Sequence, residues 1–373
     1  MNTELCKRLG MEFPLFAFSH CRDVVAEVSR AGGFGVFGAA AVSPEQLELE
    51  LRWIDQQVAG RPYGVDVLVP ENMSIHDSGR NTRGLAERIP QQHRDFVREL
   101  LAKHGVEGGG EPRVEGTTPF MADVAEQLMD VAFSHRIGLI ANALGVPPQS
   151  MIERGRRHNV PVAALVGAAE HAVRQAAAGV DIIVAQGGEA GGHCGEVSTL
   201  VLIPEVVRAL KRFGSPPVLA AGGIMTGRQM AACMAMGASG AWTGSVWLAT
   251  TESECSPVLR QKFLAATSRD TVRSKGRTGK YSRQLKSSWT SAWESDTSPG
   301  ALPMPLQSLL SEPAIQLAIR EAEKGNPRAT ELVTYFIGQG VGLIDSVSTC
   351  RQVVAEFMDE FAAAVSEIST LLE

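Results

Sequence analysis

Between residues 14 and 245 a short apolar run, a polar or glycine-bearing turn and an amphipathic helical stretch follow one another repeatedly. The runs are PLFAF (14–18), FGVFG (34–38), YGVDVLVP (63–70), IGLIANAL (137–144), VPVAALVG (160–167), VDIIVAQG (180–187), PPVLAAGG (216–223) and SGAWTGS (239–245). Helical patterns lie between them at 24–32, 43–57, 168–179, 203–214 and 226–237, several opening on a Ser, Thr or Pro and closing on Gly, as helix ends prefer. Continuous apolar runs suit strands buried on both faces, and parallel neighbours need helical crossovers. Eight such units predict an α/β fold closed into a (β/α)8 TIM barrel. The competing doubly wound sheet would carry GxGxxG directly after its first strand. Here that turn reads SHCRD.

The chain of 373 residues is longer than one barrel needs. We expect a barrel over 1–270 and a mostly helical C-terminal extension over 271–373, packed on it, with helices near 305–323, 328–337 and 345–372. Residues 71–119 follow the third strand and far exceed a usual βα loop, so they form either a partly helical lid or a solvated insertion. A net charge of −6 and a pI near 5.8 give no general attraction to nucleic acid or anionic lipid. The six cysteines form no CxxC, which argues against a disulfide framework or a zinc site. No signal-peptide pattern and no apolar run of about 18 residues are present, so the expected setting is cytoplasmic and away from membranes.

In such a barrel the chemistry sits at the C-terminal ends of the strands. Gly222 and Gly223 end the seventh strand just before a helix, and Gly244 and Ser245 occupy the equivalent place one strand later. Either pair alone could merely terminate a strand. Together they point to a phosphate-bearing ligand held by backbone N–H groups and a helix N-terminus. Beside them, after the sixth strand, runs GGEAGGHCG (187–195), a loop able to lie along a flat ring system. His193 in that loop has the reference pKa of a proton acceptor at neutral pH. Cys194 reads as its neighbour and Glu189 as a loop-fixing carboxylate. His20 and Cys21 end the first strand at the same mouth, and no ligand spacing supports a metal.

With those residues placed, the chain resembles the nitronate monooxygenase family, formerly 2-nitropropane dioxygenases. The likeness rests on AGGFGVFG (31–38), YGVDVLVP (63–70), AGVDIIVAQGGEAGGHCG (178–195), PPVLAAGGIMTGRQMAACMAMGASG (216–240) and DTVRSKGRTGKYSR (270–283). It implies an FMN-dependent (β/α)8 barrel whose cofactor phosphate is held at Gly222, Gly223, Gly244 and Ser245. Gln186, Gly191 and Gly192 would lie along the flavin, Ala17 and Phe18 would offer it backbone contacts, and His193 would be the base. Asp66 stands where the family places an asparagine near the flavin pyrimidine. FAFSH (16–20) replaces the family's Q-A-P-M or Q-G-P-M turn and puts His20 on the substrate side. The implied reaction oxidises alkyl nitronates or nitroalkanes with O2 to carbonyl compounds and nitrite. An NAD(P)H-dependent flavin reductase of quinones or enoyl thioesters is the alternative, and a non-enzymatic flavin or phosphosugar binder a further one. The C-terminal apolar helix faces would cover the barrel of a monomer or the interface of a homodimer.

Overall fold

The computed structural model describes residues 1–40, 42–69, 82–113 and 122–372. Eight parallel strands close into a barrel: β1 (Leu15–Ser19), β2 (Phe34–Gly38), β3 (Tyr63–Val67), β4 (Leu139–Asn142), β5 (Val162–Val166), β6 (Ile182–Gln186), β8 (Val218–Ala221) and β9 (Gly240–Thr243). The last pairs back onto β1, with Phe16 opposite Trp242. This is the (β/α)8 TIM barrel that the alternation predicts. A separate antiparallel sheet joins β10 (Thr271–Ser274), β11 (Ser282–Leu285) and the two-residue β7 (Gly192–His193).

Strand periodicity of two sorts each strand's side chains between the barrel interior and the helical layer. Leu15 and Ala17 belong to the core under the helices, whereas Phe16 and Phe18 turn inward with Phe34, Leu139, Val184 and Trp242. The inward rings stack, Phe16 on Trp242 at 5.8 Å and Phe18 on Trp242 at 6.3 Å between centroids, so the interior is filled. In β3, Tyr63, Val65 and Val67 pack outward, which leaves Asp66 on the inward side, in register with Gly38. The helix Glu4–Leu9 contributes Leu5 and Leu9 to the interior cluster, and its Arg8 pairs with Asp181 ahead of β6. Among the described residues no helix is long and apolar enough to cross a membrane.

The structure corrects several boundaries. The helix expected at 203–214 starts four residues earlier, at Thr199, and runs to Leu210 through Pro204. Its first N–H is taken by the Glu189 carboxylate at 2.9 Å, a cap supplied from ten residues away and invisible to local pattern. The helix expected at 328–337 ends at Leu332. Val333–Ile337 is extended instead, with the Leu285 N–H donating to the Tyr335 carbonyl at 3.0 Å and a bridge between Gln284 and Phe336. The last helix begins at Cys350 rather than 345, capped by the Thr349 hydroxyl, and ends at Ser369.

Residues 71–81 and 114–119 of the long excursion lie outside the described residues. Its described part is helical over Thr82–Glu87 and Gln91–Lys103. Val97, Leu100 and Leu101 on the second helix share a core with Trp289, Leu310, Ile315 and Leu332 from the C-terminal region. The excursion therefore meets the tail through apolar packing and is not a wholly solvated insertion.

The C-terminal helix docks on the helix Gly227–Ala235 by close backbone approach. A Cβ at Gly227 would fall 2.7 Å from the backbone carbon of Phe357 and the backbone nitrogen of Phe361, and the Gly227 N–H donates to Glu360 Oε2 at 2.8 Å. Gly227→Ala should lower stability by about 1–3 kcal/mol, read from the urea midpoint, and speed proteolytic loss of the C-terminal helix. An unchanged midpoint would refute that packing.

Candidate active site

Four backbone N–H groups at the C-terminal ends of β8 and β9, those of Gly222, Gly223, Gly244 and Ser245, have no hydrogen-bond partner among the described residues. All four residues are half-buried. Gly222 and Gly223 have φ of 108° and 70°, values that side chains with a Cβ rarely adopt. Two of the three first-turn N–H groups of the neighbouring helix, those of Gly227 and Gln229, already have partners. Its Met225 N–H goes to Gln229 Oε1 at 2.7 Å, its Gly227 N–H to Glu360 and its Gln229 N–H to Thr226 Oγ1. A carboxylate from the C-terminal helix already answers that dipole. A phosphate here would be held by the strand-end N–H groups.

The glycine-rich loop owes its composition mostly to protein neighbours. A Cβ at Gly187 would collide with Thr199, one at Gly191 would sit 2.8 Å from the Gly338 nitrogen, and one at Gly195 would sit 2.7 Å from the Gly167 carbonyl oxygen. Gly192, at φ 76°, has open space where its Cβ would be. Glu189 anchors the loop through the Thr199 N–H, and Arg283 donates from Nε and Nη2 to the Gly188 carbonyl at 2.9 and 2.7 Å. Gln186 ends β6, half-buried, opposite Ala221. Ser245 Oγ accepts the Gly338 N–H at 2.9 Å, so the segment after Phe336 packs against both the loop and the Gly244–Ser245 turn.

His193 lies in β7, paired with Ser282 of β11. Its Nε2 is 2.9 Å from Thr278 Oγ1, and its ring is 6.5 Å from that of Phe336. One side of the residue is open to solvent. Protein crowds the others, and that desolvation, with the positive charge of Lys280, lowers its pKa to about 4, so the imidazole is neutral at neutral pH. The Cys194 thiol is pushed up by burial and is no thiolate nucleophile there.

His20 sits across the mouth, its Nδ1 2.7 Å from the Gly38 carbonyl and its ring edge-on to Phe18 at 5.2 Å. Only a protonated Nδ1 makes that bond, so Nε2 carries the lone pair of the neutral ring. Desolvation first, and the charge of Arg277 second among the lowering causes, depress its pKa. Asp66 is 3% exposed, its Oδ1 has no partner among the described residues, and burial raises its pKa to about 7. Phe18 reaches the mouth. Ala17 packs its side chain under the helices, so only its backbone could face a ligand.

Thr278, Arg277, Phe336 and Gly338 were not singled out from the sequence. Their only signal was the quoted stretch DTVRSKGRTGKYSR, which holds Arg277 and Thr278 but says nothing of Phe336 or Gly338. Among the described residues one cluster brings metal-ligating side chains together, Cys21, Asp23 and Glu254, and it includes neither His20 nor His193.

Comparison with known proteins gives the family. The nitronate monooxygenase family matches residues 13–360. A Mycobacterium tuberculosis protein provisionally named a monooxygenase is 52% identical over the full length of both chains. A Staphylococcus aureus protein provisionally named a nitronate monooxygenase is 30% identical, covering 76% of this chain and 78% of its own. Among solved structures, the nitroalkane oxidase of Streptomyces ansochromogenes superposes with a TM-score of 0.80 at 24% identity, over 98% of this chain and 100% of its own. FabK of Thermotoga maritima gives 0.74 at 25%, over 100% and 99%. The fold is thus shared across these barrels, and the chain itself belongs to the nitronate monooxygenase family of flavin oxidoreductases.

Proposed function

We propose that this enzyme binds FMN and oxidises alkyl nitronates or nitroalkanes with O2 to a carbonyl compound and nitrite, with His193 as the base. The observation that carries this reading is His193, held by Thr278 in the loop after β6, at the same end of the barrel as four backbone N–H groups without partners among the described residues. Those N–H groups, of Gly222, Gly223, Gly244 and Ser245, suit a terminal phosphate. Gln186 and the open side of Gly192 would border the ring system, and Gly191 would hold that border against Gly338. The buried, unpartnered Oδ1 of Asp66 would be satisfied by a polar ring edge. When bound, the flavin supplies the electron acceptance and oxygen chemistry that the chain lacks.

The chain's own part is proton handling. The Thr278 hydroxyl has one proton, and it lies 3.0 Å from the Lys280 carbonyl. With that proton given to Lys280, Thr278 Oγ1 accepts from His193 Nε2–H, and Nδ1 keeps the lone pair. His193 Nδ1 has no partner among the described residues and takes the α-proton of a neutral nitroalkane. A nitronate supplied as such needs no base. Because Thr278 comes from the 271–373 extension, we read barrel and extension as one working unit.

The deciding test adds a nitronate, NADH and NADPH separately to the purified holoprotein without oxygen. The nitronate should bleach the flavin band. Rapid bleaching by a stoichiometric amount of NADH or NADPH would instead make the protein a reductase of quinones or enoyl thioesters. His193→Asn should lower kcat/KM for a neutral nitroalkane by about 10²–10⁴-fold, with FMN content intact and nitronate turnover nearly kept. An equal loss on both substrates would remove the base assignment.

Two pH effects follow. The neutral form of His193 persists down to about pH 4, so kcat/KM for the neutral nitroalkane, corrected for substrate ionisation, should stay level through 6.5 and fall only toward about 4. For Asp66 the folded pKa lies above the unfolded one, so the folded state holds an extra proton between 3.8 and about 7. The stability this confers is full below that window and lost as pH rises through it. Asp66→Asn should therefore gain, relative to the parent, on the order of 1–3 kcal/mol at pH 8 over pH 4, in urea unfolding of the FMN-free protein. A pH-independent difference would contradict it.

A further inference from the structure

The geometry points to the loop joining β10 to β11, through buried Arg277 backed by exposed Lys280, as a fixed positive charge that makes the barrel mouth select an anionic substrate over its neutral conjugate acid. This assignment rests on the nitro-compound reading and adds to it the residues that would distinguish a nitronate from a nitroalkane.

Arg277 is 3% exposed. Its Nε and Nη2 donate to the two oxygens of Glu312 at 2.7 and 2.9 Å. On the far side of the guanidinium, Nη1 is sealed from water and has no partner among the described residues. The Phe336 ring covers the guanidinium face, 4.0 Å from its carbon, and that same ring neighbours His193. The next residue, Thr278, is the one that holds His193. Arg277 is therefore built into the wall behind the base.

A tie between the loop and the helix Leu306–Glu323 would need only the edge that faces Glu312. It would not leave a sealed donor unpaired, which is costly, and an apolar pair would serve as well or better. The pair is also lopsided. The Glu312 side chain is 35% exposed, whereas that of Arg277 is 3% exposed, so water screens the carboxylate and leaves the guanidinium unscreened. Seen from the mouth, the pair is a dipole with its positive end inward. His20 responds accordingly: Arg277 is among the charges that disfavour its protonation, and Glu312 is not. Lys280 acts in the same sense on His193. The other charges of this loop face elsewhere, Lys275 and Arg273 over the Tyr281 ring and Arg273 toward Glu196. Two histidines kept neutral and one unscreened guanidinium give the mouth a fixed positive charge, which Asp66 leaves uncompensated below about pH 7, where its carboxyl is neutral.

The test uses the holoprotein and inorganic nitrate, a small planar anion, titrated by calorimetry at low ionic strength. Arg277→Met combined with Glu312→Met removes both charges, so neither is left buried alone. This double variant should lose about tenfold in nitrate affinity and a similar factor in kcat/KM for the nitronate, while the KM for the uncharged nitroalkane changes less than about twofold. Lys280→Gln, at an exposed position, should lose about two- to threefold in nitrate affinity. A rise of similar factor in the KM for the uncharged nitroalkane, or unchanged nitrate affinity in both variants, would overturn the assignment. If the double variant does not fold, Lys280→Gln and the parent's salt dependence decide, and nitrate binding insensitive to both overturns it. A parent protein that binds nitrate, loses that binding in the variants and turns over neither nitro compound would support the anion site and defeat the nitro-compound reading.

Discussion

Two residues of β-ladder, Gly192–His193 against Ser282–Arg283, hold the site together. Without them the glycine-rich loop after β6 would have no fixed height above the barrel, and His193 would have no fixed partner. The pairing brings in the turn that carries Arg277, Thr278 and Lys280, and Arg283 then reaches across to the Gly188 carbonyl. From the other side, Gln339 donates its N–H to the Glu189 carbonyl at 2.9 Å. The loop is thus gripped on both flanks by chain from beyond residue 280. A barrel that ended at its eighth strand would keep the glycines at its strand ends but not the fixed position of His193.

This grip alters what the glycines mean. Read in one dimension, a loop with so many of them is an invitation to a flat ligand. In three dimensions Gly187, Gly191 and Gly195 are each forced by Thr199, Gly338 and Gly167, because backbone must approach backbone where the loop is clamped. Gly192 is left with open space. The same residue type therefore serves two demands that sequence cannot separate.

The barrel itself was legible because its signal is local and repeated. Each strand is a continuous apolar run, and all eight runs fell on the observed strands. The site was legible where chemistry and position coincide, at strand ends with paired glycines and a histidine. It was not legible where contacts join distant segments: Thr278 to His193 across 85 residues, Arg283 to Gly188 across 95, Gly338 to Ser245 across 93. The expected helix over 328–337 failed for the same reason. Val333 to Ile337 carry apolar side chains in helical spacing, but Leu285 and Gln284 offered their backbone a strand partner, and β-branched and aromatic residues take that option readily.

The electrostatics of the mouth follow from that long-range assembly. Desolvation alone favours neutral imidazoles and a neutral carboxyl, and His20, His193 and Asp66 all shift in that direction. Burial by itself would make the mouth indifferent to charge. Arg277 breaks the indifference, because its countercharge is placed on the wetter side of the pair. The fold is common to barrels that differ in what they act on, so strand ends and glycines cannot carry substrate choice. In this chain the groups that bias charge at the mouth come from the segment after β9, and that segment, rather than the barrel, is where selectivity is built.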